Sequence, residues 1–341
     1  MKKYFSNTSF NYGPWFIAIA AIMWTTDIMF RVNLEPYATA TQIVFVDHLI
    51  ILLVISPFIV KWLPDLRKFN SYDWISILFV GIGGSALASI FLTTGFFIGS
   101  PFQYVGIVIF LQQTQPLFAF FLAHVLLKER LPKNFYPLAG LSILSVILIV
   151  SPYFFGQNGS FILFNSLLSQ DGFIAAMCGL MAAFLWGSST VFGRYILQHG
   201  NLRPSYFQMA GYRFLIAGVF LALFIPFYNE SKGYPSINTL LNPVLTVSFL
   251  YLALVVGLFS LVLYYYGLRS THASISTIAE LAYPLSYYLV ALPLVGFLGT
   301  PDIIQLLGGI VLIVSSTILS INYGKISFNN QEPDLTGPIP S

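Results

Sequence analysis

An all-α integral membrane protein of ten transmembrane helices, folded as two inverted five-helix repeats, is the fold class this sequence predicts. Three observations carry it. The 341-residue chain is 57% hydrophobic and only 8% charged, whereas soluble domains carry roughly 25% charged residues. Ten apolar runs punctuate it, and the two halves resemble each other in the same order.

A helix needs about 20 mainly apolar residues to cross the hydrocarbon core. The runs at 13–33, 39–60, 74–98, 102–127, 134–153, 172–197, 204–227, 243–268, 273–297 and 302–323 supply that length. The first of them, apolar from Trp15, is too long for a signal-peptide core and lacks a small-residue cleavage site, so it is a retained span. Residues 1–12 form a polar N-terminus. Residues 154–171 form an outer loop whose FILFNSLLSQDG stretch lies along the surface as a short amphipathic piece. Residues 324–341 are polar and Pro-rich, a disordered tail.

Basic residues orient the spans. With the N-terminus cytoplasmic, the inner segments hold Lys2, Lys3, Lys61, Arg67, Lys68, Lys128, Arg130, Lys133, Arg194, Arg203, Arg269 and Lys325. The outer segments hold only Arg31 and Lys232, and Arg213 lies within a span. This positive-inside bias places both termini in the cytoplasm and the protein in the cytoplasmic (inner or plasma) membrane. Lys and Arg are not gathered into a nucleic-acid patch, so nucleic acid is not a partner. The single cysteine, Cys178, rules out a disulfide framework and Cys-rich metal sites, and is read as core.

The halves align as follows. AAIMW at 20–24 answers AAFLW at 182–186, and QIVFVDHLI at 42–50 answers QMAGYRFLI at 208–216. Farther on, LQQTQP at 111–116 answers AELAYP at 279–284, and LAG at 138–140 answers LGG at 307–309. Five spans per half is an odd number, so the second copy enters the membrane upside down. Inverted repeats packed around a midplane site are a design of secondary transporters, which rock to open that site to each side in turn.

Polar groups within the spans mark the candidate site, because a charge at the bilayer centre costs about 2.5–3.5 kcal/mol and faces the bundle interior. They are Asp27, Asp47, His48, Gln112, Gln113, Gln115, His124, Arg213 and Glu280. Asp47 and Arg213 approach the midplane from opposite sides, either as functional charges or as a structural ion pair. Asp27 and Arg31, four apart, read as a local pair near the outer surface. His48 and His124 read as satisfied histidines, the glutamines as interhelical hydrogen-bond glue, and Gly81, Gly83 and Gly84 as permitting close packing. Gln112 and Glu280 each stand four residues before a proline. Pro116 and Pro284 would free the carbonyls of those two residues, so backbone acceptors and polar side chains coincide and the two prolines act as helix hinges. Glu280 has no cation three or four residues away in its own helix, which suits a proton-coupling group or an anion that meets a cationic substrate group. Around it, Trp24, Trp186, Tyr265, Tyr283 and Tyr287 would shape a cavity, with Tyr283 and Tyr287 in a stripe beside the acid that suits an amine or a flat organic body.

These features together resemble the drug/metabolite transporter superfamily, and within it the family with two tandem EamA domains. The resemblance covers residues 13 to 323, with EamA-like repeats at 13–153 and 172–323. It rests on the five-plus-five layout, the AAxxW stretches, the Pro116 and Pro284 helices, the LKERL stretch at 127–131, and the Gly-rich start of each half's last helix. The site answering LKERL reads VGFLGTP at 295–301 without the acid, and helix 2 carries Asp47 where helix 7 has the family-like Arg213. The resemblance therefore implies transport and architecture but not substrate.

The sequence predicts a secondary active transporter of a small polar or amphipathic metabolite (amino acid, amine or nucleoside-like) working by alternating access, coupled to a proton or to counter-exchange. Its partners are a small-molecule substrate, membrane lipids and, as the coupling ion, a proton; it functions as a monomer or homodimer. No GxSxG, HExxH, P-loop or Cys/His spacing occurs, so no enzyme, cofactor or metal is expected. Two rivals remain at this point: an integral-membrane enzyme acting on lipid-linked substrates, and a non-transporting membrane assembly component.

Overall fold

The computed structural model describes residues 11–99, 104–129, 131, 133–154, 169–224, 242–291, 294 and 303–323. Residues 1–10, 155–168, 324–341 and VGFLGTP lie outside the described residues, and the expected outer loop 154–171 gives up its ends to helices that reach Phe154 and start at Gln170. Within them the chain is helical throughout, as a bilayer demands, since only internally hydrogen-bonded backbone is tolerated in lipid.

Among the described residues, eight helices are long and apolar enough to cross a membrane. In chain order the elements are α1 (Gly13–Leu34), α2 (Ala40–Trp62, continued by a 3₁₀ turn Leu63–Lys68), α3 (Ser71–Phe97) and α4 (Val105–Leu126), then α5 (Phe135–Phe154), α6 (Gln170–Gln198), α7 (Tyr206–Phe224) and α8 (Pro243–Arg269). α9 is a chain of short pieces, Ala273–Ala279, Ala282–Ser286 and a π-helical Tyr287–Ala291, and α10 spans Ile303–Tyr323. Neither α5 nor α9 is among the eight; α5 offers a shorter apolar stretch, Phe135–Ile149, and α9 is interrupted. α1 also differs from an unbroken span, since it steps at Thr26 between Gly13–Thr25 and Asp27–Leu34.

Local chemistry sets the ends. At the start of α2, Thr39 and Gln42 form a capping box, with Gln42 Oε1 accepting the Thr39 N–H at 3.1 Å and Thr39 Oγ1 the Gln42 N–H at 3.4 Å. Ser205 and Gln208 repeat the arrangement before α7, at 3.0 and 3.2 Å. A box of this kind satisfies two donors that a helix start otherwise leaves orphaned. Asn70 caps α3 and Asn242 caps α8. Both of those helices then widen into π-helical turns, at Phe79–Leu87 and Tyr251–Phe259, where main-chain carbonyls fall out of the regular ladder.

Packing places the bundle's centre. α1 lies against α8 and α9, while α6 lies against α3 and α4; α2 packs on α7 and α8, and α7 on α2 and α3. α4 meets α9, and α5 pairs with α10, where Ser142 and Ser315 hydroxyls sit 2.7 Å apart and Gln305 Nε2 donates to the Ile149 carbonyl at 2.8 Å. Small residues allow the closest approaches: a Cβ on Gly179 would lie 2.4 Å from the Val108 carbonyl, and one on Gly84 2.1 Å from Ser189 Oγ. Gly81 is equally tight against Ile216, but Gly83 has ordinary room. Cys178 is buried, as core. Trp24 wedges between the three largest apolar clusters, and the space beside it is the cavity described next.

Candidate functional site

The cavity encloses about 160 Å³ and takes its lining from α1, α2, α3, α4, α6, α7, α8 and α9. Glu280 stands where α9 breaks. Ala273–Ala279 ends just before it, and the helix resumes at Ala282 with Pro284 in its first turn. α4 breaks the same way, at Gln113 and Thr114, and resumes at Gln115 with Pro116. A proline is tolerated at a first turn, where its missing N–H would have no partner, so both prolines begin a new piece of helix instead of kinking a continuous one. The Glu280 carbonyl is consequently not free: it accepts the Tyr283 N–H at 2.9 Å as the chain tightens into a turn.

The break aims the Glu280 side chain at three donors. Gln115 Nε2 reaches Oε2 at 2.5 Å, while the Tyr264 hydroxyl and Ser276 Oγ reach Oε1 at 3.1 and 3.3 Å. Behind Gln115 runs a file of amides. Gln113 Nε2 donates to Gln112 Oε1 at 2.6 Å, and Gln112 Nε2 donates to Gln115 Oε1 at 3.0 Å. Gln112 therefore joins Glu280 through Gln115, and the glutamines bind α4 to α9 as interhelical glue should. A carboxylate with donors at both oxygens is held in its charged form far better than a bare one.

Two tryptophans frame the opposite walls. Trp24 Nε1 on α1 donates to Ser260 Oγ on α8 at 2.7 Å. Trp186 Nε1 on α6 donates to the Gly84 carbonyl on α3 at 2.8 Å. That carbonyl, within the π-helical turn, also accepts Arg213 Nη2 at 2.5 Å, and Arg213 Nη1 donates to the Tyr265 hydroxyl at 3.2 Å.

The expected neutralisation of Asp47 by Arg213 is not met, because Arg213 is engaged by α3 and α8. Arg31 and Asp27 are the charged groups that act on Asp47, in opposite directions. Arg31 donates Nε to Asp27 Oδ2 at 2.8 Å and Nη1 to Thr93 Oγ1 at 2.8 Å. Asp27 and Arg31 are thus the expected local pair, but at 4% and 7% exposure they line the cavity and not the outer surface. His48 is satisfied at both ring nitrogens, by the Val44 carbonyl at 2.7 Å and Ser85 Oγ at 2.9 Å. His124 is exposed, with Nδ1 3.3 Å from the Glu129 carbonyl.

Of the residues expected at the site, Glu280, Gln112, Trp24, Trp186, Tyr283, Asp47, Arg213 and Pro116 line the cavity. Tyr265, Tyr287 and Pro284 do not: Tyr265 sits behind Arg213, and Tyr287 is fully buried beside Tyr283. Sequence reasoning passed over Tyr264 and Ser276 as partners of Glu280, and Ser189 and Thr190 as lining. The signal for Ser276 was present, since it stands four residues before Glu280 on one helical face.

Away from the cavity, the acid of LKERL has a structural task. Glu129 accepts the N–H groups of Ala273 and Ser274 at 2.9 and 3.2 Å and the Ser274 hydroxyl at 2.8 Å, and His272 Nδ1 lies 3.5 Å away. Burial alone would raise the carboxyl, but the hydrogen bonds from His272 and the α9 start hold it below its ordinary 4.5. Its side chain, 6% exposed, ties the end of α4 to the start of α9.

Comparison with known proteins places the chain beside a family, a curated relative and a solved fold. Residues 11–151 and 173–321 match the EamA-like transporter family. The riboflavin transporter ImpX of Fusobacterium nucleatum subsp. nucleatum is 27% identical over 308 residues, spanning 89% of this chain and 95% of that protein. A solved crystal structure, 14% identical, superposes with a TM-score of 0.65 over 92% of this chain and 97% of its own, and shares the fold.

Proposed function

The chain belongs to the EamA-like transporter family, is a multi-pass membrane transporter and not an enzyme, and from that premise we propose how it transports. The ten helices form two inverted five-helix repeats, residues 13–153 and 172–323, with both termini in the cytoplasm of a cell whose cytoplasmic membrane holds the protein. Exchange of the halves supports this: α1 on α8 answers α6 on α3, the two capping boxes correspond, and the two tryptophan bonds correspond.

The substrate is a small amphipathic molecule with a flat ring and hydrogen-bonding edges, nucleoside-like in outline, which binds against Glu280, Gln112, Tyr264, Trp24, Trp186 and Tyr283 and crosses by alternating access. The observation that carries this is the Glu280 carboxylate, met by donors from α4, α8 and its own helix at the wall of a cavity that both halves line. Because its oxygens are already occupied, a ligand meets amides, hydroxyls and rings, and a neutral heteroaromatic suits them better than an amine. Riboflavin, the compound for which ImpX is named, is the first to test.

Purified protein in proteoliposomes should take up riboflavin, and Glu280→Gln and Gln112→Ala should each lower the rate at least tenfold. A loss of about 1.4 kcal/mol of binding or transition-state stabilisation already gives that factor. Wild-type vesicles that match empty ones would end the riboflavin reading, and uptake untouched by either substitution would remove the site from the path.

A further inference from the structure

Five acidic or guanidinium side chains line the cavity: the acids Asp27, Asp47 and Glu280 and the arginines Arg31 and Arg213. Two of the acids are compensated. Asp27 holds Arg31 through Oδ2 while its Oδ1 has no hydrogen-bond partner among the described residues, and Glu280 has three hydrogen-bond donors. Asp47 is the acid left over. It is 7% exposed, it faces the cavity, and its Oδ1 has no hydrogen-bond partner among the described residues.

We propose that Asp47 is the site that takes up and releases a coupling proton, a role separate from substrate contact at Glu280. The inference rests on the transporter reading above and adds the coupling ion and its residue. A buried carboxylate with an unpartnered oxygen is costly, and a proton removes that cost by converting it to a neutral acid. A metal ion would instead set a second full positive charge beside the Arg31 guanidinium, which is already committed to Asp27 and Thr93.

The other ionisable groups about Asp47 leave the role to it. From α1, Asp27 and Arg31 neutralise each other; on α2, His48 is engaged at both nitrogens; from α7, Arg213 is tied to Gly84 and Tyr265. From α9, Tyr283 faces the cavity with an unpartnered hydroxyl and Glu280 is saturated, while from α8 Tyr264 is committed to Glu280, and α3 brings only Ser85 and Ser89. In transport, Asp47 binds a proton from the side to which the cavity is open, the cavity re-opens to the other side with Asp47 neutral and substrate bound, and the proton leaves there as the carboxylate re-forms.

Two measurements test this. In proteoliposomes, the ratio of riboflavin uptake with an inward proton gradient to uptake at equal pH should exceed one in wild type, collapse with a protonophore, ignore a sodium gradient, and fall to one in Asp47→Asn. A ratio of one in wild type, a response to sodium instead, or a gradient response kept by Asp47→Asn would overturn the proposal. Infrared difference spectra across a pH titration of the purified protein need no substrate. There the carbonyl stretch of a protonated carboxylic acid should vanish in Asp47→Asn and persist in Glu280→Gln. If wild type moves no riboflavin, the substrate reading fails by itself and the infrared titration decides the proton site: a set of carboxylic-acid carbonyl bands from which Asp47→Asn removes none refutes it.

Discussion

Tyr264 and Tyr265 are neighbours in sequence, yet they point a third of a turn apart on α8 and do different things. The first donates to Glu280 and lines the cavity, and the second accepts Arg213 behind the wall. Nothing in the run YYY distinguishes them, because the apolar and aromatic surroundings of α8 give no strong facing signal. Tyr264→Phe removes one donor from a buried carboxylate, worth about 1 kcal/mol, or roughly fivefold in affinity. Riboflavin binding should weaken by that factor in Tyr264→Phe and by less in Tyr265→Phe, which titration of the two purified variants would show. Equal affinities would mean that the Glu280 cluster does not set binding.

At the scale of elements, the Glu129 cap joins two helices that are far apart in the chain. Its carboxyl sits below its ordinary value, so the stability it contributes is present above about pH 4.5 and is lost as the pH falls through the lowered value. Glu129→Gln should lower the melting temperature at neutral pH, reflecting about 1–3 kcal/mol for a weakened buried acceptor. The gap between variant and wild type should close below pH 4.5; a gap independent of pH would mean that the charge is not what binds Ala273 and Ser274. The elements themselves were largely legible, because hydropathy reports bilayer-length runs directly. The breaks were not. Pro116 and Pro284 announce that something happens in α4 and α9, but whether a proline bends a helix or starts a new one depends on turn geometry two residues earlier. The step at Thr26 carries neither proline nor glycine to announce it. The Gln112–Glu280 correspondence read from the repeat pairs equivalent positions and not touching ones: the contact between the two runs through Gln115.

At the scale of the whole molecule, the proposed inverted repeat and the basic-residue bias predict one orientation. In a Cys178→Ala background, a membrane-impermeant maleimide applied to intact cells should label a cysteine at Tyr37, half exposed in the α1–α2 link. It should label one at Lys68, which is exposed, only in inverted vesicles. The opposite pattern would invert the topology. What the sequence could not convey at this scale is which charges meet, because partners such as Arg213 and the Gly84 carbonyl come from different halves and the acceptor is main chain.

The pairing of those charges bears on how the protein is made. Spans enter the bilayer in order of synthesis, and each buried charge must be tolerated from the moment its helix leaves the insertion machinery. Arg31 finds Asp27 one turn earlier in the same helix. Arg213 finds the Gly84 carbonyl, already in place. Glu280, the last of them, finds Gln115, Tyr264 and Ser276, all translated before it. The chain thus reads as a schedule in which Arg31, Arg213 and Glu280 each arrive to a waiting hydrogen-bond partner, Asp27 waits one turn for Arg31, and nascent Asp47 enters the bilayer most cheaply as the neutral acid.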